Sequence, residues 1–130
     1  MTTSADATTA KQLDGAATIF VVRHVMSAVA HYNDVLGFRT AFTYGEPTFY
    51  AGVERDEVIV HLQSAAHTKR QPGHGAIYIF CADVGALYDQ IRTRGGNVPK
   101  GPNDYAYGMR DFDAYDLDGN QLSFGSETKR

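Results

Sequence analysis

The chain has 130 residues, 43% hydrophobic and 21% charged, with a formal charge of -3. That is one domain, long enough to bury a core without staples, and the single cysteine, Cys81, excludes an internal disulfide or a cysteine-built zinc site and fits a reducing compartment. Scattered basic residues exclude the electrostatic footprint of a nucleic-acid partner, and the absence of an apolar run near ~20 residues and of a signal-peptide layout sets the expectation of a cytoplasmic protein with no membrane partner.

In chain order, residues 1–15 are rich in Thr, Ala, Ser and Asp, show no apolar period, and read as a disordered tail outside the fold. Ala17 to Val22 is a β-type run. The next stretch, Met26 to Leu36, is helical, with Ser27 as its N-cap and Gly37 as its stop. Three strands follow, Phe38–Tyr44, Thr48–Val53 and Glu57–Gln63, separated by Gly45-Glu46-Pro47 and Arg55-Asp56. A polar connection from Ser64 to Gly75 leads to a strand at Ala76–Cys81. Asp83 then caps a helix in which Val84, Leu87, Tyr88 and Ile91 recur at i, i+3, i+4, i+7, ending at Gly95-Gly96. The remaining strands are Asn97–Val98, a short piece near Tyr105–Tyr107, Arg110–Tyr115 and Gln121–Gly125, the last after the turn Asp116-Leu117-Asp118-Gly119-Asn120. Glu127 to Arg130 reads as a short frayed end.

A shift of about 59 residues overlays two halves, placing Val21 on Phe80, Val25 on Val84, Ala28 on Leu87, Tyr32 on Ile91 and Gly37 on Gly96. The pattern is a duplicated strand–helix–three-strand unit, in modules of about 16–64 and 75–126. The fold class is α+β, with helices on one face of the sheets.

Three segments resemble a known family. Tyr107-Gly108-Met109-Arg110-Asp111-Phe112, running into Tyr115-Asp116-Leu117-Asp118-Gly119-Asn120-Gln121-Leu122-Ser123-Phe124-Gly125, resembles the closing strands of bleomycin-resistance-type members of the glyoxalase, or vicinal oxygen chelate, superfamily. Val53-Glu54-Arg55-Asp56-Glu57-Val58-Ile59-Val60-His61-Leu62 and His31-Tyr32-Asn33-Asp34-Val35-Leu36-Gly37-Phe38 are similar in the same way. The resemblance spans about residues 16–126. It implies two tandem βαβββ modules with cupped sheets, a homodimer with ligand sites at the subunit interface and, in the superfamily's enzymes, a divalent metal in the cup.

Strand alternation indicates which residues face that cup. Val58, Val60 and Leu62 form a helix-facing row, leaving Ile59, His61 and Gln63 for the cup. Ile77, Ile79 and Cys81 face the helices, and Ala76, Tyr78 and Phe80 the cup. Leu122 and Phe124 are buried, with Gln121, Ser123 and Gly125 inward. Phe20 and Val22 pack on helix, and Ala17, Ile19 and Val21 face the cup. The superfamily's metal-ligand positions, carried onto this chain by the resemblance, fall on Ala17, His61, Ala76 and Ser123. Three of those four ligate a divalent ion poorly, and a site needs at least three protein ligands, so no metal and no other cofactor is expected. His24 and His31 are placed at the start and on the exposed side of the first helix, and His67 and His74 in a solvated loop. His61 is either a cup-wall group bonded to Ser123 or Gln63, or a ligand contact or base.

The expected ligand-binding set is Phe49, His61, Gln63, Tyr78, Phe80, Tyr107, Met109, Arg110 and Ser123, with Tyr44, Tyr50 and Tyr105 near the rim and Asp104, Asp111 and Asp113 beside it. Eight Tyr and seven Phe with no Trp make a polar-tipped aromatic complement suited to planar or cationic ligands. Tyr107 stands where drug-binding relatives carry a tryptophan-like platform, and Arg110 is either a ligand contact or a structural ion pair. No glycine-rich phosphate loop or serine-nucleophile motif is present, and Cys81 is expected to be a buried, inert thiol. The function expected is metal-free sequestration of a small, antibiotic-like molecule, with no catalytic residue assigned. The alternatives are a lyase, isomerase or dioxygenase-like enzyme of the same superfamily, using displaced metal ligands or His61 as a base, and a dimeric regulatory or scaffold module without a ligand.

Overall fold

A computed structural model describes residues 10–128. Its elements are β1 (Thr18–Val22), α1 (Val25–Asp34), β2 (Arg39–Tyr44), β3 (Tyr50–Arg55), β4 (Val58–Ser64), a 3-10 turn (Ala65–His67), β5 (Ala76–Phe80), α2 (Val84–Thr93), β6 (Asn103–Asp104), β7 (Met109–Tyr115) and β8 (Gln121–Glu127). They form two four-stranded sheets, ordered β1-β4-β3-β2 and β5-β8-β7-β6, each with one parallel pair and two antiparallel ones. The expected α+β duplication of a βαβββ unit is what the chain builds. Of the expected tail, residues 1–9 lie outside the described residues, and residues 10–15 have no helix or strand.

One core unites the halves. Phe20, Val22, Val60 and Leu62 from the first sheet and Ile79, Phe112, Leu122 and Phe124 from the second pack with Val25, Val29 and Tyr32 of α1 and Val84 and Ile91 of α2. The strand alternation read from sequence therefore assigns the helix-facing rows correctly. Cys81 differs, being half-buried at the end of its row, not buried.

Helix ends depart from the expected positions for local reasons. Ser27 is not an N-cap: α1 starts at Val25, with His24 in the cap position making no side-chain bond. Burial of Val25, Ala28, Val29 and Tyr32 along one stripe sets the start, and core packing outweighs the modest gain from a serine cap. Asp83 does cap α2, accepting from Ala86 N at 3.0 Å. Gly37 turns the chain at φ 79°, but its conformational counterpart after α2 is Gly95 at φ 87°, one residue earlier than the overlay placed it. His31 is half-buried, not exposed; its Nε2 is enclosed without a hydrogen-bond partner among the described residues, and burial pushes its pKa down against the opposing pull of Asp116. Tyr105–Tyr107 is a turn, closed by Gly108 N to Tyr105 O at 3.0 Å, with the short strand just before it at Asn103–Asp104. β8 runs on to Glu127, beyond the expected Gly125, and Thr128 N bonds Gly108 O at 3.0 Å.

The turn between β7 and β8 joins the two modules. Asp116 Oδ1 accepts from the backbone N–H groups of Asp118 and Asn120, each at 2.9 Å, fixing the turn. Its Oδ2 accepts from Tyr32 Oη at 2.9 Å and Asn120 Nδ2 at 3.0 Å. Asn120, fully buried, also donates to Val21 O at 3.1 Å and accepts from Gly75 N at 2.9 Å. Arg23 closes the outer side on Asp118 at 2.9 Å. Buried polar groups are tolerated when bonded in this way, and here the bonding ties α1 and β1 of one module to β5 and β8 of the other.

Candidate functional site

The faces turned away from the helices are left open, and they carry most of the exposed large apolar side chains among the described residues. Ile19, Phe42, Tyr44 and Ile59 lie on the first sheet, Tyr78 and Phe80 on the second, and Tyr105 and Tyr107 in the turn before β7; all are 37% exposed or more, and Phe80 reaches 79%.

On the first sheet, His61 sits opposite Gly52 in the β3–β4 ladder. Its Nδ1 lies 2.9 Å from Tyr50 Oη. The phenol donates in the tautomer that leaves Nδ1 bare and accepts in the tautomer that protonates it. The Phe42 ring stands edge-on to His61 at 5.3 Å and stacks with Tyr50 at 6.3 Å. The glycine at 52 lets the Phe42 ring lie over the strand, since a Cβ there would come within 2.3 Å of that ring. Gln63 Oε1 accepts from Arg70 Nη2 at 2.9 Å, so the Ser64–Gly75 connection folds back over this face. His61 thus bonds neither Ser123 nor Gln63, the two partners expected of it. Phe49 lies at the rim, stacked on the exposed His67 at 4.3 Å.

On the second sheet the centre is a carboxylate. Asp111, 7% exposed, accepts on one oxygen, Oδ2, from both Tyr78 Oη at 2.8 Å and Tyr107 Oη at 2.6 Å. Gly125 opposite it leaves the room, since a Cβ there would stand 2.2 Å from the Tyr78 hydroxyl. The bond to Asp111 favours the neutral phenol and pushes Tyr107 up to about 12. Tyr78 is raised further still, by burial first and then by the same bond. Tyr105 stacks parallel to Tyr107 at 5.3 Å, extending the aromatic wall. Beside them Ser123 Oγ donates to Asp113 Oδ1 at 2.6 Å and accepts from Gln121 Nε2 at 2.9 Å.

His61 and Gln63 therefore share the first open face, and Tyr78, Phe80, Met109 and Ser123 the second, with Tyr107 bonded to it. Phe49 is peripheral. Arg110 does not join them: it lies between Met109 and Asp111 in the alternation of β7, on the helix-facing side with Phe112 and Ala114, and pairs with Asp104 at 3.0 Å. Reading the sequence missed Phe42, and placed Tyr50, Asp111 and Asp113 at the rim and not on the faces they occupy. The signal was present, because Asp111 and Asp113 alternate with the core residues Phe112 and Ala114, as Tyr50 does with Ala51 and Val53.

Of the four positions that correspond to superfamily metal ligands, Ala17 and Ala76 carry no donor, Ser123 is committed to Asp113 and Gln121, and His61 is engaged by Tyr50. Among the described residues no group of three His, Cys, Asp or Glu side chains is placed to hold a metal ion. This donor set does not fit a divalent metal centre. Among the same residues, no helix is long and apolar enough to cross a membrane.

The profile of the Glyoxalase/Bleomycin resistance protein/Dioxygenase superfamily matches residues 15–124. No curated protein matches the chain. Among solved structures, a superfamily member from Sphaerobacter thermophilus is similar at 24% identity and TM-score 0.74, over 85% of this chain and 94% of that one. TioX from a Micromonospora strain is similar at 18% identity and TM-score 0.74, over 86% and 97%. The bleomycin-binding protein of bleomycin-producing Streptomyces verticillus, solved with copper(II)-bleomycin, is similar at 21% identity and TM-score 0.74, over 92% and 100%.

Proposed function

The chain belongs to the Glyoxalase/Bleomycin resistance protein/Dioxygenase superfamily, and on that footing we propose that it binds a small antibiotic-like molecule, aromatic or cationic, and acts by sequestering it without a metal. The observation that carries this reading is the composition of the two open faces. They expose Phe42, Ile59, Tyr78, Phe80 and Tyr107, with only a few fixed polar groups among them, the usual make-up of a ligand site. The likeness to the fold of a bleomycin-binding protein supports an antibiotic-like ligand.

An apolar surface of this kind is normally covered. The proposed cover is a second copy of the chain, each cleft lying between subunits and repeated by two-fold symmetry. Affinity then arises from stacking on the Tyr105–Tyr107 pair, from desolvation, and from attraction of a cationic group to Asp111 and Asp113.

A native mass spectrum of the purified protein, taken without added metal or chelator, tests this. The expected result is an ion at twice the chain mass with no additional metal, followed by mass addition with binders from an antibiotic panel. A monomer would refute the interface cleft, and a dimer with one metal ion per subunit would refute the metal-free reading.

A further inference from the structure

A cleft of about 500 Å³ lies on the helix side of the sheets, between the β3–β4 hairpin and α2. It shares Phe80 with the second sheet's edge, but its floor is made of the core residues Phe38, Ile79 and Phe124 with the partly buried Leu87. This volume is within the range that holds a small organic ligand, and the floor calls for an apolar body.

Two features define the rest of the molecule. Gln90 lines the cleft from α2, and its Oε1 is enclosed without a hydrogen-bond partner among the described residues. Enclosed acceptors are normally paired, so this one asks for an N–H or O–H donor, which a ligand supplies once the amide turns toward the cleft. The rim carries three carboxylates, Asp56, Glu57 and Asp83, against one guanidinium, Arg55, which donates to Leu36 O at 2.8 Å. The imbalance attracts a positive charge. We propose that this cleft is a second binding site, separate from the open faces, for an alkyl- or arylamine: its hydrocarbon on Phe38, Ile79 and Phe124, its ammonium N–H on Gln90 Oε1, its charge toward the acidic rim.

Cys81, the chain's only cysteine, lines the same cleft and provides a reporter. Burial pushes its pKa up, so alkylation is followed at mildly alkaline pH. The intact protein is treated with N-ethylmaleimide and analysed by mass, alone or with 4-phenylbutylamine or 4-phenylbutyrate, which share an apolar body and carry opposite charges. The amine is expected to slow alkylation about fivefold or more, and the carboxylate to leave it nearly unchanged. Gln90→Leu should raise the amine concentration needed by about fivefold, the value of one modest hydrogen bond. Tyr107→Ala, on the open face, should leave protection intact. Equal protection by both probes, no protection by the amine, or full protection in Gln90→Leu would overturn the assignment. So would a Cys81 that reacts only after denaturation, since the cleft would then be closed in the native protein. Loss of protection in Tyr107→Ala would also overturn it, by relocating the amine to the open face.

Discussion

Tyr32→Phe is a direct probe of how the two modules are held together. The substitution removes one hydroxyl, which donates at 2.9 Å to Asp116 Oδ2 in a buried environment, and leaves the ring and its edge-on contact with Phe38 at 5.6 Å. No cavity opens, so the loss is that of one hydrogen bond to a carboxylate, about 1.5–3 kcal/mol. For a domain of this size that lowers Tm by roughly 5–12 °C. A second signature follows from the proton. The folded Tyr32 has its pKa raised well above the ordinary 10.0 by burial first, and then by Asp116. The unfolded phenol titrates near ~10 while the folded one keeps its proton, so its stabilisation is complete below ~pH 10 and falls above it by about 1.4 kcal/mol per pH unit. Urea unfolding at fixed protein concentration, from neutral pH to ~pH 11.5, reads both effects. The wild type should lose stability faster than Tyr32→Phe over the alkaline part of that range. An unchanged midpoint together with an unchanged alkaline slope would refute the assignment of the Asp116 turn as the inter-module tie.

Other substitutions separate the roles of the remaining residues. Asn120→Ala removes bonds to Val21 O, Gly75 N and Asp116 at a fully buried position, and should cost about 3 kcal/mol or more by urea unfolding. Ile59→Arg places a charge on the first open face, away from the helix-side core, and should convert a dimer to a folded monomer in sedimentation velocity. Tyr107→Phe frees one of the two phenol bonds on Asp111 but keeps the stack on Tyr105, so binding of a panel-selected ligand should weaken less than in Tyr107→Ala, where the stacking partner is lost as well.

The architecture was legible in the sequence because burial writes itself into periodicity. Val58, Val60 and Leu62 alternate with Ile59, His61 and Gln63, and the structure buries one row and opens the other. Val84 and Ile91 mark the stripe of α2 in the same way. Side-chain pairing was not legible, because it depends on residues distant in sequence. Nothing local to Asp116-Leu117-Asp118-Gly119-Asn120 distinguishes an exposed turn from one whose carboxylate reaches Tyr32, 84 positions away. Arg110 illustrates the opposite case: its side of β7 follows from the alternation with Phe112 and Ala114, and only the motif in which it stands suggested the cup.

The duplicated ladders have diverged at matched positions, and this makes the two open faces unlike. His61 pairs with Ile19 and Gly52 across its sheet, and Ser123 with Tyr78 and Asp113 across the other. Where the second sheet has an acid bonded to a hydroxyl, the first has a glycine covered by the Phe42 ring. Gly52→Ala tests whether that cover matters. The added methyl meets the outer part of an exposed ring, which can swing away at little steric cost, giving up contacts with Tyr50 and His61 worth about 0.5–1.5 kcal/mol each. Stability should therefore fall by about 1–3 kcal/mol, the His61 ring protons should lose the ring-current shift of an edge-on phenyl group in an NMR spectrum, and affinity for a ligand resting on this face should drop. An unchanged His61 spectrum would show that Phe42 does not rest on this histidine, and the aromatic wall would then consist of Tyr50 alone.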